Sequence, residues 1–69
     1  MLIADFKSNL PETGRFRDAA LVQLAIYRAL MRDLYSDRPV DCVLVVLDGP
    51  RLVRPGAAEL DRALAILTA

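Results

Sequence analysis

The sequence predicts an α/β fold in the order strand, helix, strand, helix, and three runs of residues carry that expectation. Residues 18–35, DAALVQLAIYRALMRDLY, contain neither proline nor glycine and are rich in Ala and Leu, which favours a helix. Residues 40–47, VDCVLVVL, form a β-branched apolar run bounded by Pro39 and by Gly49-Pro50, which reads as a central strand buried on both faces. Residues 1–6, MLIADF, precede the helix and are too few to form one, so they read as a short buried strand.

Taken in order, the first strand covers 1–6 and ends at Asp5 and Lys7. Residues 8–17, SNLPETGRFR, hold Pro11 and Gly14 among polar groups and read as a loop. The long helix over 18–35 opens on Asp18, which suits a cap or the first turn, where the helix dipole favours an acid. The second strand over 40–47 leads into a turn-rich loop, DGPRLVRPG at 48–56. A second, weaker helix over 57–67 follows, with Leu60, Leu64 and Leu67 on one face.

Strand, helix and strand make a β-α-β unit with parallel strands and a right-handed crossover. Two strands alone make a poor sheet. Both suit interior positions, so the chain is expected to need neighbouring strands that it does not encode.

With 69 residues, the chain is one small domain, near the size below which a single core needs help from disulfides, metal or partners. It is 55% hydrophobic with two Phe and two Tyr, an aliphatic composition that should fold. Nine acids balance nine bases, which removes the broad electrostatic argument for nucleic acid, so any DNA contact must be local. Cys42 is the single cysteine and reads as a small buried group, which excludes a disulfide framework and any four-cysteine cluster built from this chain. With no membrane-length apolar run and no signal-peptide pattern, the expectation is a cytoplasmic protein without a membrane partner.

Around the long helix at about 100° per residue, Asp18, Arg28, Arg32 and Asp33 fall on one side. The other side carries Ala20, Tyr27, Leu30, Met31 and Leu34, and Gln23 falls near its middle. A buried unpaired amide costs on the order of 1–3 kcal/mol. Gln23 should therefore meet a polar partner, and the crossover helix packs over a strand that ends in an acid and the only lysine of the chain. Gln23 and Tyr27 are expected to face Asp5 and Lys7. Arg28 and Arg32 read mainly as a solvated helix face.

The segments IADFKSN and QLAIY, in that order and at that spacing, resemble the D-Y-K-S/T-N/D and Q-x-x-x-Y motifs of RecB-type nuclease domains, a branch of the PD-(D/E)xK superfamily. The tail PVDCVLVVLDGPRLV further resembles the end of AddA-type helicase-nuclease subunits, so the likeness runs from Leu2 to about Leu64.

What the resemblance implies is a partial restriction-endonuclease-like core, the C-terminal piece of a metal-dependent DNA exonuclease domain acting in double-strand-break repair and recombination. Asp5 would be a metal-binding carboxylate, and the carbonyl of Phe6 a further oxygen ligand to Mg2+ or Mn2+. Lys7 would orient or activate the attacking water and stabilise charge on the phosphate, with Gln23 and Tyr27 as the helix motif beside the metal and the DNA backbone. The implied partners are DNA, the remainder of the nuclease subunit and a second helicase-nuclease subunit.

The chemistry fits these residue types. Phosphodiester hydrolysis uses a hard cation held by oxygen ligands, and a lysine two residues after an acid projects to the same side of a strand. The family also uses an acid from a preceding G-x-x-D strand, and this chain has only four residues before Asp5 and no histidine. It also has no Walker-type glycine loop. The polypeptide is therefore expected to bind metal weakly and to be weak or inactive alone. The reading from another class is a non-catalytic remnant or small interaction module that self-associates through unpaired strand edges.

Overall fold

In the computed structural model, which describes residues 1–68, the chain is a mixed α/β fold of three strands and two helices. The expected domain span of 1–69 thus runs one residue beyond the described chain. The elements are β1 (Leu2–Lys7), α1 (Arg15–Leu34), β2 (Asp41–Val46), β3 (Arg51–Val53) and α2 (Ala57–Thr68).

The sheet order is β1-β2-β3, with β1 parallel and β3 antiparallel to β2. As expected, β2 is central and β1 is its parallel neighbour. The expectation of a plain loop over 48–56 is corrected: a turn over 47–50 brings Arg51–Val53 back beside Val46–Leu44. Gly49, at φ 64°, supplies the left-handed residue of that turn. One neighbour that β2 needs is therefore encoded in the chain itself.

Helix α1 starts three residues earlier than Asp18. Gly14 takes φ 102°, a conformation that suits glycine, and its carbonyl accepts the Asp18 amide at 3.0 Å. Asp18 consequently lies inside the first turn and is not the cap.

The core lies between the sheet and the helices. It joins Leu10, Ala20, Leu21, Leu24, Ala25, Cys42, Leu44, Val46, Leu60 and Ala63. Cys42 is buried as expected, while Leu10 reaches the core from the segment read as a polar loop.

The buried stripe of α1 is Ala20, Leu21, Leu24 and Ala25, whereas Tyr27, Leu30 and Leu34 are exposed. This corrects the apolar face read from the sequence. The reason is rotation about the helix axis: at about 100° per residue Leu21, Leu24, Ala25 and the covered Arg28 share the side that meets the sheet and α2, while Gln23, Tyr27, Leu30 and Leu34 lie on the neighbouring side, which is exposed. Helix α2 packs chiefly on α1, and Arg28 Nη1 joins Asp61 Oδ1 across that contact at 2.9 Å. Arg28 is thus mostly covered, and of the two arginines only Arg32 stays on a solvated face.

Strand β1 departs from the expected buried strand. Its residues alternate, with Ile3, Asp5 and Lys7 partly covered and Leu2, Ala4 and Phe6 exposed. The register pairs Ile3, Asp5 and Lys7 with the core residues Cys42, Leu44 and Val46, so these lie on the helix side. Leu2, Phe6 and Leu52 lie on the other side and are 57%, 64% and 60% exposed.

Candidate functional site: a lysine shared by a carboxylate and an amide

Strand alternation puts the side chains of Asp5 and Lys7 on the same face of β1, at its C-terminal end. The crossover helix begins at that end of the sheet and carries Gln23 and Tyr27 on successive turns. The four side chains meet as the sequence predicts. Lys7 Nζ lies 3.2 Å from Asp5 Oδ2 and donates to Gln23 Oε1 at 3.0 Å. Gln23 Nε2 then donates to the Tyr27 hydroxyl at 3.1 Å.

The amide is thereby oriented: its oxygen takes the ammonium and its nitrogen the phenol. An amide turned the other way would set N–H against the lysine, so this chain of contacts fixes both ends.

Asp5 Oδ2 is buried and has no hydrogen-bond partner, although Lys7 Nζ is within ion-pair distance. The two findings agree because an ion pair needs only proximity, whereas a hydrogen bond also needs favourable angles at donor and acceptor. A buried carboxylate oxygen with an unused lone pair has the donor character that a hard cation takes.

Phe6 is split between two roles. Its ring lies on the open face of the sheet, 64% exposed and away from Lys7. Its carbonyl follows from the hydrogen-bond alternation of β1. The carbonyls of Met1 and Lys7 accept from Asp41 and Leu47 at 2.8 and 3.0 Å, so the odd-numbered residues address β2. The Phe6 carbonyl therefore points to the outer edge of β1, which has no strand beside it among the described residues.

As hard oxygen donors, Asp5 and the Phe6 carbonyl fit magnesium or manganese in kind but fall short in number. Among the described residues no group of three or more His, Cys, Asp and Glu is gathered to hold a metal ion. Mg2+ is commonly held by one or two carboxylates with water and substrate phosphate completing the octahedron, so a single carboxylate is the lower limit of such a site.

A cleft of about 370 Å³ opens beside Lys7 and Gln23 and is also lined by Asn9, Leu10, Phe16, Ala19 and Ala20. Asn9 and Phe16 were missed in the sequence. Phe16 is 78% exposed, and the available signal was an aromatic standing alone among arginines in GRFR.

A larger, open cleft of about 680 Å³ lies at the far end of α1, between its last turns and the entry to β2, and is lined by Arg28, Arg32 and Arg38. It contains none of the linked residues. Ligands of open α/β sheets bind outside the carboxyl ends of the strands, which is where Lys7 stands.

No family model, no curated protein and no solved structure matches this chain. Among the described residues no helix is long and apolar enough to cross a membrane.

Proposed function

We propose that this chain is part of a metal-dependent deoxyribonuclease domain, in which Asp5, the Phe6 carbonyl, Lys7, Gln23 and Tyr27 form one half of a phosphodiester-hydrolysing site. The observation that carries the reading is the double engagement of Lys7, 3.2 Å from Asp5 Oδ2 and 3.0 Å from Gln23 Oε1. Residues singled out by two separated motifs converge on one ammonium group. That convergence supports the likeness to RecB-family nucleases of the AddA type, and with it a partial restriction-endonuclease-like core in a helicase-nuclease of double-strand-break repair.

In hydrolysis, water attacks phosphorus, the bridging P–O bond breaks, and negative charge grows on the phosphate oxygens. Mg2+ or Mn2+, when bound, supplies Lewis-acid stabilisation of that charge. Asp5 and the Phe6 carbonyl would hold the ion. Lys7 carries a positive charge to the same place and, through its hydrogens, orients the water. Gln23 holds the Lys7 ammonium in position, and Tyr27 holds Gln23. Asp5 is a lone carboxylate here, so metal affinity is low and the polypeptide by itself is a weak or inactive nuclease.

Manganese titration followed by electron paramagnetic resonance tests the site directly. Weak binding, in the millimolar range expected of one carboxylate and a carbonyl, should be lost in Asp5→Ala and retained in Asp48→Ala. Equal binding by both variants would remove the metal reading. A parallel nuclease assay should give background cleavage, and robust cleavage abolished by Asp5→Ala would overturn the inactivity of the isolated chain.

A further inference from the structure

The two edges of the sheet are built differently. The β3 edge is three residues long, carries Arg51 and is flanked by Pro50 and Pro55, all devices that discourage strand pairing. The β1 edge is six residues long, with no proline and no bulge in its register with β2. Its two charges, Asp5 and Lys7, are both turned to the helix side, where they pair with each other and Lys7 also donates to Gln23, so no charge stands on the open face of the strand.

Leu2, Ala4 and Phe6 direct their N–H and C=O groups outward along this edge, by the same alternation that turns the Met1 and Lys7 carbonyls to β2. They also place their side chains on the open face of the sheet. We propose that the β1 edge is a self-association surface, on which a second copy of this chain pairs its own β1 antiparallel about a two-fold axis at Ala4.

The register is self-complementary. Centred on Ala4, it sets Leu2 against Phe6 of the second copy and Ala4 against Ala4 of the second copy. Each of these is a hydrogen-bonded pair, so every outward N–H and C=O of the three residues finds a partner. The side chains on that face form an apolar cross-strand ladder. Shifting the centre by one residue to Asp5 would keep the outward groups facing each other but set Asp5 directly against Asp5 of the second copy, and like charges directly opposite are destabilising. Nine acids and nine bases give the chain no net charge, so no long-range repulsion opposes the approach of two copies.

Edge pairing of one strand buries several hundred Å² per copy, the size of a weak interface, so the dimer should form with a Kd of roughly 1–100 µM. Pairing also engages the Phe6 carbonyl with an amide of the second copy. The dimer and the proposed metal site thus draw on the same atom, but the pairing stands on the edge geometry and does not depend on the nuclease reading.

Sedimentation equilibrium of the full chain from about 1 to 300 µM tests the inference, with hydrogen exchange at the upper end. The expected result is a shift from the monomer mass towards twice that mass, with the Leu2, Ala4 and Phe6 amides protected only at high concentration. Phe6→Lys and Ala4→Pro should each weaken association tenfold or more with the helical circular dichroism retained, while Leu52→Lys on β3 leaves it unchanged. If Ala4→Pro fails to fold, Phe6→Lys and wild-type exchange still decide. A monomer throughout the range would overturn the proposal, as would a dimer whose β1 amides stay unprotected or one dissociated by Leu52→Lys and not by Phe6→Lys. Metal binding lost in Asp5→Ala is read separately, so either proposal can fail without the other.

Discussion

Lys7 Nζ and Gln23 Oε1 lie 3.0 Å apart, joining the end of the first strand to the third turn of the crossover helix across 16 residues of sequence. The bond is charge-assisted, and Asp5 Oδ2 approaches the same ammonium at 3.2 Å.

That contact should register as an energetic coupling. In a double-mutant cycle of Lys7→Met and Gln23→Leu, read by urea unfolding, a coupling of about 0.5–1.5 kcal/mol is expected. Each substitution keeps the apolar stem and removes the polar head. Tyr27→Phe should change the Gln23 term by less, because it deletes a neutral hydrogen bond at an exposed site. Strictly additive effects of the Lys7 and Gln23 changes would show that the bond is not populated in solution.

Much of this arrangement was legible in the sequence because strong local signals pointed the same way. The long Ala- and Leu-rich run and the β-branched run fixed one helix and the central strand, and the packing of the crossover helix over β1 brought Gln23 to Lys7, although Gln23 is exposed and not the buried amide that the sequence argument assumed. Strand β3 was not legible, since three residues between prolines leave no period to read. The core stripe of α1 was misjudged for a related reason. A helical wheel shows which residues share a side but not which side meets the sheet and α2, and that side carries Leu21, Leu24, Ala25 and Arg28, so Leu24 is buried while Leu30 and Leu34 are not. The burial of Leu10 depended on the path of a loop, which periodicity does not encode.

The core is small enough for one residue to decide folding. Leu24 and Leu44 are both fully buried, one from α1 and the other from the strand facing it. Leu24→Ala should cost about 2–5 kcal/mol through lost transfer energy and the cavity left behind. Total stability in a domain of this size is about 3–5 kcal/mol. The variant should therefore lose its cooperative urea transition and most of its helical circular dichroism at 25 °C. Leu30→Ala, at an exposed position on the same helix, should change stability by less than about 0.5 kcal/mol. Similar losses for both would show that the wheel-derived face, and not the observed one, contacts the core.

Cys42 gives the fold an alkaline limit. Burial pushes its thiol above the ordinary value of 9.0, with Arg28 opposing the rise and Asp41 adding to it. The folded chain therefore holds this proton more tightly than the unfolded chain. The stability it contributes is complete below the unfolded value and declines as pH rises from about 9 through the higher folded value. Urea unfolding of wild type and Cys42→Ala at intervals from about pH 7 to 10 isolates the thiol, because every other group is common to both proteins. The stability difference between the two should be constant up to about pH 8 and should move against the wild type at higher pH, as thiolate forms in the unfolded chain and is excluded from the core. A difference that stays constant to pH 10 would mean that Cys42 ionises as readily inside the fold as outside it, which its burial in the core cluster argues against.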